Sequence, residues 1–448
     1  MKTAKLSLFD ITMIVISLVV GMGIFRTPVN VARDAGSPSV FFAAWIIGGV
    51  VALCGALTFA EIGSRYPVTG GYYKIFSYCY HPSLAFAISC IALVSNAASV
   101  AGMALIGAEY FSNLFFSGSH NNSTIRLVIS ALAIGLFYGV NLMGLKMSAR
   151  TQNVLMLIKM GLVIMLISSL FTVHHEETSP VITGISDNSW SAFFKSLGIC
   201  LIAVSFTYEG YEQTINFGGE AENAPKTLPR GIFLGIIVCT LLYLSINYTY
   251  FKVIGFSNLQ HAESIAALLA GVLFGGKGFA VISILMFLAV LASVNVFLMS
   301  NPRVIYAMGD EGVLPRLFAK RHPRTQVMTN ALTAFTAICL ITLFYAKTFD
   351  EILNHVIFID CFSLATSASA IFILRKRTAH LDNQGIYKMK FFPLMPLVFI
   401  ATYMFVAASI VIATPKAAGV SLLIFSLFFL LYFILKKVRR NAGNTDQL

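Results

Sequence analysis

Residues 11–25 read ITMIVISLVVGMGIF, an uncharged apolar run interrupted near its far end by Gly21-Met22-Gly23. A run of this kind approaches the roughly 20 residues that a helix needs to cross the hydrocarbon of a bilayer. Glycine costs about 1 kcal/mol in a helix interior relative to alanine, and two glycines spaced by one residue disfavour continuous helix over the same turn. Irregular backbone at membrane depth survives only where it lines a cavity or is buried in protein. The stretch predicts a spanning helix that breaks, with a cavity at the break. Close packing of small residues against a neighbouring helix would also use these glycines, so a matching break elsewhere has to separate the two readings.

The rest of the chain supports a lipid environment. Of 448 residues, 57% are hydrophobic and only 11% are charged, too apolar a balance for a water-soluble domain of this length. Further uncharged or nearly uncharged runs, such as residues 40–60 and 421–435, bring the count to about twelve spans. They start near residues 9, 39, 83, 126, 151, 191, 230, 278, 328, 351, 391 and 417. No soluble domain interrupts them, so residues 1–448 read as a single transmembrane domain. The short head before the first run carries no small-residue cleavage site, which marks a retained span rather than a signal peptide.

The net charge of +12 resembles a nucleic-acid signal until the basic residues are placed on alternate sides of the membrane. Lys2, Lys5, Lys146, Arg150, Arg316, Lys320, Arg321, Arg324, Arg375, Lys376, Arg377, Lys436, Lys437, Arg439 and Arg440 then gather on one face. That asymmetry is the positive-inside pattern. It predicts a multi-pass cell-membrane protein with both termini cytoplasmic, and no nucleic-acid partner. The seven cysteines are scattered without paired spacing and imply neither disulfides nor a metal. None of the eight histidines stands in a metal-ligating motif, so no cofactor or catalytic constellation is expected. Asn121 and Asn122 each begin a glycosylation triplet, a weak signal at this length.

A second interruption lies five spans after the first. In span six, Phe206-Thr207-Tyr208-Glu209-Gly210-Tyr211 puts an acid and a glycine at a corresponding depth. Many transporters are built from two inverted repeats, each contributing one discontinuous helix to the substrate site. The pairing predicts repeat one over about residues 9–172 and repeat two over about 191–375, followed by two additional C-terminal helices over about 391–436.

Several motifs along the chain resemble those of the amino acid, polyamine and organocation permease superfamily, and within it the L-type amino acid transporters and their bacterial relatives. Gly21-Met22-Gly23-Ile24-Phe25 is similar to that family's G-S-G-I-F. Ala60-Glu61-Ile62-Gly63, followed by Pro67, Thr69, Gly70, Gly71 and Tyr73, matches its second helix and the turn after it. Glu220 to Arg230 resembles its acidic loop after span six, with Ala224 as one extra residue before Pro225. Arg303 to Pro315 resembles its run after span eight, with Asp310 where a basic residue is usual.

The resemblance implies an all-α integral membrane protein with a LeuT-like 5+5 inverted repeat, in which helices 1 and 6 are discontinuous. It implies sodium-independent secondary transport of amino acids by alternating access, as exchanger or proton-coupled symporter, with neutral L-amino acids as substrates. A cationic amino acid or polyamine antiporter is the alternative. No cysteine stands obviously placed for a disulfide-linked partner, so a stand-alone bacterial-type permease of the inner membrane, with no obligatory protein partner, is expected.

A zwitterion in a low-dielectric cavity needs a partner for each charge. The half-helix beginning near Ile24 offers unpaired N–H groups and a positive dipole end, so the backbone of Gly21, Met22, Gly23 and Ile24 is expected to hold the carboxylate. Phe206, Thr207, Tyr208, Glu209 and Gly210 are expected to hold the amine through freed carbonyls, with Phe206 as an aromatic gate, a role the resemblance suggests. Three roles are open to Glu209: pairing a second substrate amine, carrying a proton, or neutralising a protein cation such as Arg26. Lys159 stands inside the fifth apolar run, where an ionisable residue is costly and functional by default. The resemblance implies that its ammonium substitutes for a sodium ion, bonding the unwound part of span one and polar groups of span eight, with Ser293 and Asn295 as the local candidates. Asp360, inside span ten, is a candidate proton or gate residue.

Overall fold

A computed structural model describes residues 5–21, 23–116, 122–171, 190–262, 265–275, 278–345, 349–381 and 385–445. Met22 and Asn121 lie outside the described residues, as does most of the polar stretch from His174 to Ser191. Among the described residues ten helices are long and apolar enough to cross a membrane. The pair α1 (Leu8–Val19) and α2 (Gly23–Ala35), bent by 41° at the glycines, makes an eleventh span. Thr329–Phe344 is apolar but shorter, at 16 residues.

The chain continues as α3 (Pro38–Arg65), α4 (Gly71–Cys79), α5 (Pro82–Phe115), α6 (Asn122–Leu142), α7 (Leu145–Ser168) and α8 (Trp190–Tyr208). Then follow α9 (Ala224–Ile254), two short helices α10 (Phe256–His261) and α11 (Ile265–Phe274), and α12 (Gly278–Asp310). The last four are α13 (Thr329–Phe344), α14 (Phe349–Arg377), α15 (Leu394–Ala413) and α16 (Pro415–Thr445). Large apolar side chains such as Leu132, Leu423 and Ile412 stand exposed on the outer helix faces, where lipid rather than water is their natural neighbour.

Local chemistry sets the helix ends. Ser7 and Asp10 form a reciprocal capping box at the start of α1, and Ser37 caps α3 ahead of Pro38. α9 starts at Ala224, six residues before the expected position, because Asn223 turns the chain at φ 44° and Pro225 fits the first turn. The extra residue Ala224 is thus absorbed at a helix start. α1 packs closely along α9: an added Cβ at Gly231 or Gly235 would come within 2.4 Å of Ile11 or Val15 side-chain carbons.

The end of the molecule that carries the N-terminal segment is closed by ladder contacts and ion pairs. Leu6 N–H donates to Glu220 O (2.8 Å), and Glu222 N–H donates to Leu6 O (2.9 Å). Arg303 Nε donates to Glu220 (2.9 Å) while its guanidinium lies 4.4 Å from the Phe217 ring centroid. Glu61, fully buried, is held by Arg65 (2.7 Å), by Arg375 (2.8 and 2.7 Å) and by the Met389 N–H (2.9 Å). Asp310, at its unusual motif position, pairs with Lys74.

Candidate functional site

Both interruptions open onto one cavity of about 760 Å³. It runs from Asn301 and Val304 in α12, past Gly21, Gly23, Glu209 and Gly210, to Arg33 and Asp34 at the far end of α2. α1 terminates at Val19, and Gly21 N–H turns back to Val19 O (2.8 Å). α2 restarts at Gly23, so the N–H groups of its first turn have no intrahelical acceptor. Donors and a positive dipole end therefore sit at the cavity wall, an arrangement suited to a carboxylate.

The second interruption differs from the expectation. α8 runs unbroken through Phe206, Thr207 and Tyr208, and the chain leaves the helix only at Glu209 and Gly210. It then continues as a short 3-10 turn, Tyr211–Asn216, rather than as a second α-helical half. Gly210 makes this possible. Its φ is +115°, and an added Cβ would lie 2.5 Å from Leu18 O. Only a glycine lets α1 and the end of α8 approach so closely.

The freed carbonyls are partly taken. The Tyr243 hydroxyl lies 2.9 Å from Val19 O and 3.1 Å from Thr207 O, so one proton is shared between the last turns of α1 and α8. Glu209 N–H reaches Phe206 O only at 3.4 Å. Thr207 Oγ1 donates to Ala203 O (2.9 Å) and meets Thr27 Oγ1 at 3.0 Å, which ties α8 to α2.

Of the amine-side residues, Phe206, Thr207, Glu209 and Gly210 line the cavity, with Phe206 39% exposed. Tyr208 does not. Its ring is buried against Trp45 and Tyr243, and its hydroxyl points to Trp45 O at 3.5 Å. One step along a helix turns a side chain by about 100°, and that rotation carries Tyr208 into the α3–α9 core. Ile24 is likewise fully buried and does not line the cavity, so of the described carboxylate-side residues Gly21 and Gly23 face it.

Lys159, 1% exposed, donates from Nζ to Val20 O (2.7 Å) and to Ser293 Oγ (2.7 Å). Asn295 does not join it. Asn295 accepts from Asn141 (2.9 Å) and donates to Gln152 Oε1 (2.8 Å), forming an amide cluster between α6, α7 and α12. Two residues apart on one helix point about 200° apart, so Ser293 and Asn295 could not both face the lysine.

Besides Asp34 at its far end, three carboxylates lie together by the chain breaks in this cavity: Glu209, Asp360 and Glu212. Asp360 accepts from Ser95 Oγ (2.9 Å), and Glu212 accepts from the Gly210 N–H (2.8 Å). Among the described residues none of the three has an ion-pair partner within 4.0 Å, and their geometry is not that of a metal site. Arg26 is exposed on the cavity wall, without an ion pair to Glu209. Below them an amide cluster lines the floor: Asn96 donates to Asn301 Oδ1 (2.7 Å) and to Gln213 Oε1 (3.3 Å).

Sequence reading missed Glu212, Asn96, Gln213, Asn301 and Tyr243. A signal for the first and third was present, because Glu209, Glu212, Gln213 and Asn216 recur at one-turn spacing inside a span.

Comparison with known proteins agrees with this architecture. The sequence profile described as amino acid permease matches residues 6–435. The chain is 28% identical to the serine/threonine exchanger SteT of Bacillus subtilis, with 96% of each chain covered. It is 26% identical to the human cystine/glutamate transporter, over 94% of this chain and 83% of that one. It is 24% identical to the human Asc-type amino acid transporter 1, over 94% of this chain and 80% of that one. These relatives are transporters and not enzymes. A multi-span helical membrane protein with paired chain breaks on one cavity, matched to that profile over nearly its whole length, belongs to the amino acid permease family of the amino acid, polyamine and organocation superfamily.

Proposed function

We propose that this chain moves amino acids across a bacterial inner membrane by alternating access, as a sodium-independent exchanger or proton-coupled symporter. The observation that carries the reading is the meeting of two chain breaks in one cavity, with open N–H donors at the start of α2 and an acceptor-rich wall at the end of α8. The substrate carboxylate binds the backbone of Gly21, Met22, Gly23 and Ile24, and its ammonium binds near the carbonyls of Phe206 and Thr207. Phe206 closes over it as the gate. Lys159 replaces a sodium ion, since its ammonium occupies the acceptors Val20 O and Ser293 Oγ that a cation would need.

In this reading the spans form two inverted repeats followed by two C-terminal helices, both termini are cytoplasmic, and the cavity opens outward. Neutral L-amino acids such as serine and threonine fit by analogy with the exchanger SteT. The test is counterflow in proteoliposomes: internal unlabelled serine should drive uptake of labelled serine, and no accumulation with any amino acid would overturn the proposal.

A second reading of the substrate has its own observation. Glu209, Glu212 and Asp360 lack a cationic partner among the described residues, and carboxylates in a low-dielectric site require protons or a cation. A cationic amino acid or polyamine would supply one. Arginine outcompeting serine in the same counterflow assay would favour this reading, and serine outcompeting arginine the first.

A further inference from the structure

A second cavity, of about 420 Å³, lies at the end of the molecule that carries the N-terminal segment, between α6, α7, α12 and the loop before α13. Its lining includes four cations, Lys5, Arg303, Arg321 and Arg324, and a single carboxylate, Glu220. Glu220 is already engaged by Arg303 Nε at 2.9 Å. Lys5 Nζ donates to Gly219 O (2.7 Å), a neutral acceptor that leaves its charge unbalanced.

Arg321 lies over the Tyr306 ring at 4.6 Å, and its Nε is buried with no hydrogen-bond partner among the described residues. Arg324 has neither hydrogen bond nor ion pair among them.

The loop that presents both arginines is built, not slack. His322 N–H donates to Val327 O (2.8 Å), Gln326 N–H donates to His322 O (2.9 Å), and Thr325 N–H donates to His322 Nδ1 (3.3 Å).

Two guanidinium groups lining a cavity with a surplus of positive charge, neither with an anionic partner among the described residues, call for an anion. Guanidinium forks match the oxygens of a phosphate, and several cations around one site suit a group that carries more than one acceptor oxygen. The volume exceeds what a bare phosphate fills, which leaves room for an organic group attached to it. Basic pockets between spanning helices are also where anionic lipid head groups bind.

We propose that this cavity is a binding site for a phosphate group, with Arg321 and Arg324 as its principal ligands and Lys5 as a third. Because Lys5 holds Gly219 and Arg303 holds Glu220 at the same cavity, a bound phosphate draws the N-terminal segment, the chain after α8 and the α12–α13 loop together. It thereby favours closure at this end.

The test uses the full chain in nanodiscs of phosphatidylcholine alone, or with added phosphatidylglycerol, and separately titrates pyrophosphate into the neutral discs. Thermal unfolding and native mass spectrometry report binding. The wild-type chain should be stabilised by phosphatidylglycerol or by pyrophosphate, and the Arg321→Gln/Arg324→Gln double variant should bind about tenfold more weakly or worse.

Stabilisation by phosphatidylglycerol alone assigns the site to a lipid head group, and stabilisation by pyrophosphate as well assigns it to a soluble phosphate ester. No stabilisation of the wild-type chain by either probe overturns the proposal, and so does equal stabilisation of the variant. If the double variant does not fold, Arg324→Gln alone, at an exposed loop position, serves for the same comparison. None of these measurements depends on which substrate is carried.

Discussion

Two glycines and one lysine carry the site at the residue scale. Gly23 packs directly against Thr207 at the cavity wall, where an added Cβ would stand 3.1 Å from Thr207 Cγ2. Gly23→Leu should abolish uptake while the protein remains folded in the membrane, and normal uptake by that variant would refute the carboxylate site. Gly210→Ala should act differently, on stability as well as transport. A non-glycine residue at φ +115° costs about 1–3 kcal/mol, and backbone on the other side of the contact cannot yield cheaply. A lowered thermal midpoint in detergent checks it. Lys159→Ala leaves Val20 O and Ser293 Oγ without their shared donor. Uptake should fall by about tenfold or more, in line with a lost charge-assisted hydrogen bond, and wild-type uptake by Lys159→Ala would argue for a purely structural lysine.

The cavity's closed end is an affair of elements. The segment after α8 is clamped between the N-terminal strand-like residues and α12, with Arg303 and Glu220 as the ionic clasp. Breaking a buried pair from one side costs about 3–5 kcal/mol, whereas replacing both partners by apolar residues of similar volume is often neutral. Glu220→Ala should therefore destabilise the protein more than the pair Glu220→Leu/Arg303→Met, which a double-mutant cycle on thermal stability measures. Equal losses would mean that the clasp contributes little. α8 itself teaches a related lesson. Its helix reaches Tyr208, where the Tyr243 hydroxyl meets the freed carbonyl of Thr207, and the expected matching break is a helix end followed by a 3-10 turn.

For the whole molecule, the prediction is sodium independence: replacing sodium by choline in proteoliposomes should leave uptake unchanged, and steep sodium dependence would remove Lys159 from its proposed role. The membrane character of the chain, most of its apolar runs, the first break and the family motifs were legible directly in the residues, whereas the described residues give ten or eleven spans against the twelve expected. Hydropathy and glycine's helix cost are properties of short segments, and they do not depend on what packs where. The partners across the cavity were not legible. Whether Ser293 or Asn295 meets Lys159, whether Tyr208 faces substrate or core, and whether Glu212 joins Glu209 and Asp360 each depend on the rotation of one helix against others far away in the chain. A helix presents a new face every 100°, so the local sequence names the candidates, and long-range packing selects among them. The opening feature shows both halves of this. Gly21 and Gly23 announced a break from their own chemistry, but that it faces the end of α8 follows from α1 meeting Gly210 and Tyr243 in three dimensions.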